Sequence, residues 1–149
     1  LNVHISGGST MMKSAKDAVL SHGGRKPILI GVTVLTSISS AELSEIGINN
    51  DLKDQVVQLA KLAYQSGLDG VVCSAEEAKL LRNSMPADFI LVTPGIRREQ
   101  DAAGDQKRVI TPSQAIRNGS DYLVVGRPIT QAASPSAALA AFNSEIASV

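Results

Sequence analysis

The chain has 149 residues, 44% of them hydrophobic, and its 14 Lys plus Arg balance 14 Asp plus Glu. That is enough for one domain with an ordinary core, and the zero net charge excludes the broad positive field that draws nucleic acid or an anionic membrane surface. With two Phe, two Tyr and no Trp the chain lacks stacking platforms for single-stranded nucleic acid, and no apolar run in it approaches the roughly 20 residues of a membrane-spanning helix.

The first five residues, LNVHI, read as a strand, with His4 expected to be a core residue rather than a catalyst. A helical pattern follows over residues 10–21, where Met11, Ala15, Ala18 and Val19 share a face and Gly23 is placed to close it. The run ILIGVTVL, residues 28–35, is a second strand that delivers Thr36 and Ser37 to its C-terminal end. Ser39 with Glu42 has capping-box spacing for a helix closed by Gly47. Residues 51–65 form an amphipathic helix through Leu52, Val56, Leu59, Ala60 and Ala63, ended by Gly67.

DGVVC, residues 69–73, is the third strand, and Ser74 with Glu77 caps the helix after it. Cys73 is the only cysteine, so no internal disulfide is possible; a reducing compartment, the cytoplasm, is expected. FILVT, residues 89–93, and DYLVV, residues 121–125, are the last two strands. Between them Thr111, Pro112 and Gln114 start a helix that Gly119 can close, and Pro135 starts a final one.

The apolar runs are continuous rather than alternating, as in strands buried on both faces of a parallel sheet. A β-α unit recurs five times without a linker, so residues 1–149 read as part or all of one domain. Two architectures accommodate this. A flavodoxin-like open sheet suits the length as it stands, and spacing alone leans that way. The alternative is the last five units of a (β/α)8 barrel, which at about 250 residues implies roughly 100 residues before Leu1.

Chemistry concentrates after the last two strands. The segment PGIRREQDAAGDQKRVIT, residues 94–111, exceeds the usual length of a strand-to-helix connection. It offers donors in Arg97, Arg98, Gln106, Lys107 and Arg108, with Gly95 and Gly104 allowing close backbone approach. It reads equally as a binding loop or as a solvated loop with scattered charges. VVGRPIT, residues 124–130, places Gly126 and Arg127 at the last strand end, where barrels often hold phosphate; the alternative is a plain glycine turn with an exposed arginine. Thr36 can contact a polar ring, or the hydroxyls around it can cap a helix, a role that falls to Ser39. His4, His22 and Cys73 are not spaced as a zinc site, and no P-loop, G-x-G-x-x-G or G-x-S-x-G occurs. A small phosphorylated ligand fits best.

Taken in order, LNVHISGG, VTVLTS, GLDGVVCSA, LVTPGIR, AGDQKRVITP and GSDYLVVGRPIT resemble the bacterial-type orotidine 5'-phosphate decarboxylases over essentially the whole chain. The resemblance implies a (β/α)8 TIM barrel and conversion of orotidine monophosphate to uridine monophosphate and CO2, with neither metal nor organic cofactor. It implies that Arg127 and the Gly126 backbone hold the phosphate, that Gln106 bridges phosphate and pyrimidine, that Arg97 lies on the phosphate side, and that Thr36, helped by Ser37, lies near the ring. It further implies a homodimer with active sites at the interface. Arg98 departs from the family, whose members commonly carry proline after GIR.

The family's Asp-x-Lys-x-x-Asp array, whose lysine protonates the ring carbon as CO2 leaves, has no counterpart here. DLKDQV, residues 51–56, ends in Val56 and reads as solvated helix surface. The array is therefore expected in three β-α units preceding Leu1, and these 149 residues alone are expected to be inactive. A flavodoxin-like module that binds a phospholigand or a protein partner, and a related sugar-phosphate lyase or isomerase barrel, are the competing readings.

Overall fold

Five strands, β1 (Asn2–His4), β2 (Ile30–Val32), β3 (Gly70–Val72), β4 (Ile90–Thr93) and β5 (Tyr122–Leu123), pair in chain order, and every pairing is parallel. The structure is a computed structural model that describes residues 1–99 and 110–149. Each strand is shorter than the apolar run that contains it, because the run marks burial and the ladder marks only the overlap of neighbours. Single bonds carry the pairing further: Thr33 N donates to Val72 O at 3.2 Å, Cys73 N to Val92 O at 3.1 Å and Val124 N to Thr93 O at 2.9 Å.

The helices are α1 (Gly8–Ser21), α2 (Ser40–Glu45), α3 (Leu52–Gln65), α4 (Ala75–Ser84), α5 (Pro112–Arg117), α6 (Arg127–Thr130) and α7 (Pro135–Ala147). Contacts run along the series, α1 with α3, α3 with α4, α4 with α5 and α5 with α7. That is one row of helices beside a sheet whose order never reverses. A doubly wound sheet instead reverses order at a switch point and carries helices on both faces. The flavodoxin-like expectation is thereby corrected in favour of barrel architecture. Element spacing is the same in both; what differs is the strand beside which each crossover returns. Among the described residues β1 and β5 each have one partner, so the sheet remains open at both edges.

Ile5, Met12, Val56, Ala60, Val71 and Leu91 anchor the main core, each 1% exposed or less. A second cluster lies near the exits of β4 and β5, built from Ala75, Ile96, Ala115 and Phe142 with Ile110, Leu123, Val125 and Ile129 packed against it. Burying a side chain of Phe142's size contributes about 2 to 3 kcal/mol.

Local chemistry follows the sequence closely. Ser39 and Ser74 form complete capping boxes with Glu42 and Glu77. Thr111 accepts from Gln114 N, but the Gln114 side chain turns to Asn118 instead, so that box is half made. Pro112 and Pro135 stand in the first turns of α5 and α7. Asp51 caps α3, its carboxylate accepting Lys53 N at 2.9 Å, while Val56 points into the core. Gly47, Gly67 and Gly119 take the expected left-handed conformation.

Three expectations are corrected. Gly23 does not adopt positive φ; α1 ends instead with His22 in extended conformation. On α1 the buried stripe is Met12 and Val19, with Met11 half-buried and Ala18 exposed. Of the four positions expected on one face, Val19 lies in the core and Met11 and Ala15 pack against it, while Ala18 turns to the surface and Met12 takes the most buried place. His4 is exposed rather than buried, because Val3 and Ile5 alternate with it and take the packed side of β1.

Candidate functional site

Parallel pairing brings all five strand C-termini to one end of the sheet, the end at which barrels bind ligands. The exit of β4 is the most elaborate. Thr93 is fully buried and its Oγ1 donates to Ser120 Oγ at 3.0 Å, fixing the strand end. Gly95 follows with φ 81°, a turn that glycine takes without a side-chain clash. The turn sends Ile96 into the second cluster, where it forms a parallel bridge with Ile110.

That bridge joins the two described ends of the segment between β4 and α5. Arg97 N donates to Ile110 O at 3.1 Å, so the segment leaves and returns at one point with its base tied by main-chain bonds. Arg97 is only 5% exposed, and its Nη1 donates to Ile96 O at 2.8 Å. Arg98 is half-buried, with its guanidinium carbon 4.8 Å from the centroid of the Phe142 ring. Gln106, together with Gly104, Lys107 and Arg108, lies outside the described residues.

The exit of β5 is its neighbour, since β4 and β5 pair and Val124 N continues the ladder onto Thr93 O. Gly126 then serves as the N-cap of α6, whose Ile129 N and Thr130 N both donate to Gly126 O, at 2.9 and 3.0 Å. A Cβ at Gly126 would meet nothing within 4 Å among the described residues, so packing inside the chain does not require a glycine there. Arg127 is exposed. The helix α6 was not anticipated from sequence, although Pro128 in its first turn is a start signal. A short extra helix beside the last two strand loops is a recurrent phosphate-binding arrangement in barrels.

Thr36 lies beyond the exit of β2, 7% exposed, while Ser39 is committed to its capping box. β3 and β4 stand between β2 and β5, so three strand spacings, at most about 14 Å, separate those exits. Arg97 thus follows β4 and Gly126 and Arg127 follow its neighbour β5, while Thr36 follows β2 on the other side of β3.

Two further polar residues border this end that sequence reasoning did not select. Ser6 and Thr33, with His4, line a cavity of about 360 Å³ whose far wall comes from α2 and α3. The signal was available in their position, since Thr33 directly follows β2 and Ser6 lies two residues after β1. Thr33 Oγ1 is already occupied, donating to Val72 O at 2.7 Å. Among the described residues no three His, Cys, Asp or Glu side chains gather as metal ligands would.

Arg97 and Arg98 follow β4 and Arg127 follows β5, while the segment after β4 also carries Glu99, Asp101 and Asp105 in sequence. Arginine side chains of this kind can hold an anion through charge-assisted hydrogen bonds.

A family model described as orotidine 5'-phosphate decarboxylase / HUMPS family matches residues 1–142. The orotidine 5'-phosphate decarboxylase of Pseudoalteromonas translucida is 56% identical over 146 residues, covering 98% of this chain and 62% of the relative. That of Idiomarina loihiensis is 57% identical over 140 residues, 94% of this chain and 60% of the relative. The chain thus spans less than two thirds of the length of these relatives. Among solved structures, the orotidine 5'-phosphate decarboxylase of Lactobacillus acidophilus superposes with a TM-score of 0.83 at 44% identity, over 97% of this chain and 62% of that one. The Pyrococcus horikoshii protein of the same name, at 21% identity and a TM-score of 0.70 over 99% of this chain and 61% of that one, shares the fold.

Proposed function

The chain belongs to the orotidine 5'-phosphate decarboxylase / HUMPS family, and on that premise we propose that it is part of an enzyme converting orotidine 5'-monophosphate to uridine 5'-monophosphate and CO2 in pyrimidine biosynthesis. Its five β-α units supply the last five of a (β/α)8 barrel. The remaining three units pair with the open edges of β1 and β5 and carry the Asp-x-Lys-x-x-Asp array. The enzyme works in the cytoplasm as a homodimer with its active sites at the interface.

The observation that supports this reading is the pairing of β4 with β5, whose exits lead into the segment of Arg97, tied by the Ile96–Ile110 bridge, and into the short α6 that Gly126 caps and Arg127 begins. In the proposed complex Arg127 and the Gly126 N–H hold the phosphate, with Arg97 on the same side. Gln106 reaches from the loop between phosphate and base. Thr36 and Ser37 meet the pyrimidine across the sheet, at a separation suited to the two ends of one nucleotide.

In the reaction the bond from the ring carbon to the carboxylate breaks, CO2 leaves, and the array lysine gives its proton to that carbon. The phosphate is remote from this event. Its contacts accelerate the step only if their binding energy closes the loop and assembles a site complementary to the transition state. Each charge-assisted hydrogen bond supplies about 1.5 to 3 kcal/mol for that purpose.

The full-length protein, incubated with orotidine monophosphate, should consume its absorbance and release uridine monophosphate. Absence of turnover, with a sugar phosphate cleaved or isomerised instead, would move the site to the competing reaction class. The percent identities to proteins named as decarboxylases favour the pyrimidine.

A further inference from the structure

We infer that the Asn118–Gly119 bond is a site of spontaneous main-chain modification, the conversion of asparagine to isoaspartate, which the fold holds in check and whose product the fold does not accommodate. The inference concerns the chain itself and stands whatever the substrate. Its carrying observation is that the two groups that must react, the Asn118 side-chain amide and the Gly119 main-chain nitrogen, are each tied elsewhere by hydrogen bonds.

Asparagine is among the thermolabile residues, and of the six in this chain Asn118 alone precedes glycine. In the reaction the main-chain nitrogen of the following residue gives up its proton and attacks the carbonyl carbon of the asparagine side chain. A C–N bond forms, ammonia leaves, and a five-membered succinimide results. Water then opens the ring at one carbonyl or the other, giving aspartate or isoaspartate. One water enters and one ammonia departs, so no oxidant or reductant takes part. Glycine has no side chain to crowd the attacking nitrogen, whereas Asn83 and Asn143 are each followed by serine.

The folded chain keeps these partners apart. Asn118 ends α5 and Gly119 follows with φ 97°, in a Schellman turn where Gly119 N donates to Ile116 O at 2.8 Å and Ser120 N to Ala115 O at 3.1 Å. The attacking nitrogen is thus committed as a donor. The side chain is held as well, its Nδ2 donating to Ala75 O at 2.8 Å and its Oδ1 accepting Gln114 Nε2 at 2.8 Å. Attack therefore waits for the last turn of α5 to open. That helix has six residues and a half-made N-terminal box, and such short elements open locally without global unfolding.

The product fits the closed turn badly. A carboxylate cannot donate, so an acceptor would meet an acceptor at Ala75 O. Isoaspartate also lengthens the main chain by one atom just ahead of Gly119. Gly119 O accepts Arg82 Nε at 2.9 Å, and Asp121, two residues further on, accepts Leu91 N. A longer link displaces both ties. Ala75 and Ala115 belong to the second core cluster, so the disturbance reaches the packing beneath the β4 and β5 exits. Opening permits the conversion, and the product opposes reclosure.

The test holds the full-length protein at mildly alkaline pH, folded and in guanidinium, then digests it with pepsin in acid, where the reaction stops. Chromatography with mass detection separates the asparagine, aspartate and isoaspartate forms of the peptide carrying residue 118. In guanidinium Asn118 should convert faster than Asn83 and Asn143, and in the folded protein at least about tenfold more slowly than in guanidinium. Gln114→Ala, which removes one tie on the side chain, should raise the folded rate about threefold or more. Hydrogen exchange of the Gly119 N–H in the unsubstituted protein, slowed by a similar factor, checks the same opening without a variant. The isolated isoaspartate form should melt below the unmodified protein, with Asn118→Asp, which carries the acceptor clash without the extra atom, between them. Conversion as fast folded as unfolded, Asn118 slower than Asn83 or Asn143 in guanidinium, an unprotected Gly119 N–H, or an isoaspartate form that melts with the unmodified protein would each overturn the inference.

Discussion

The carboxylate of Asp121 accepts the main-chain N–H of Leu91 at 2.7 Å, tying the residue that precedes β5 to the second residue of β4. Asp69 repeats the device two strands earlier, accepting Leu29 N at 2.8 Å from the residue that precedes β3. Each carboxylate also holds a cation from a helix, Lys16 of α1 on Asp69 and Arg82 of α4 on Asp121. Arg82 donates further to Gly119 O, Ala87 O and Phe89 O. Both stitches lie at the strand N-termini, the end of a barrel that serves stability rather than ligand binding.

Asp121→Ala should therefore cost about 2 to 3 kcal/mol of stability, mostly because the N–H of buried Leu91 loses its acceptor. Asp121→Asn retains an acceptor and should cost about 1 kcal/mol, since the partly exposed ion pair with Arg82 is worth little by itself. Chemical denaturation of the full-length protein checks both, and kcat/KM measured well below the unfolding midpoint should stay unchanged.

Gly70 faces Ile90 so closely that a Cβ there would meet Ile90 O at 2.2 Å and Ile90 C at 2.8 Å, main-chain atoms that cannot step aside. Gly70→Ala should cost about 3 kcal/mol or more by forcing β3 and β4 apart. Gly126→Ala meets no such obstacle within the described residues. A stability loss at residue 70 no greater than at residue 126, read by thermal melts of both variants, would contradict the packing of these strands.

Ser74 is fully buried and its box with Glu77 is complete, whereas the Thr111 box is half made. Ser74→Ala should cost about 1 to 2 kcal/mol and Thr111→Ala about 0.5 to 1 kcal/mol. The order of the two denaturation midpoints is the test.

Arg127→Ala in the full-length enzyme should lower kcat/KM for orotidine monophosphate by about 10- to 200-fold, the value of one charge-assisted contact. Its exposure means that the melting temperature should hold. An unchanged kcat/KM would remove Arg127 from the phosphate site.

Local features were legible in the residues themselves. Continuous β-branched runs, caps such as Ser39 with Glu42 and Ser74 with Glu77, and the glycines closing α2, α3 and α5 depend on residues a few positions apart, so short-range sterics and hydrogen bonding determine them. The phrases around Gly95–Arg97 and Gly126–Arg127 likewise announced segments that follow strand ends, after β4 and β5. What spacing left open was the strand beside which each crossover returns, and hence open sheet or barrel. That choice is made by contacts between residues tens of positions apart, such as Asp121 with Leu91 and Asp69 with Leu29. The same reason hid the exposure of His4, the phase of α1 and the seat of Arg98 on Phe142: in each, a partner from a distant element decides which way a side chain faces.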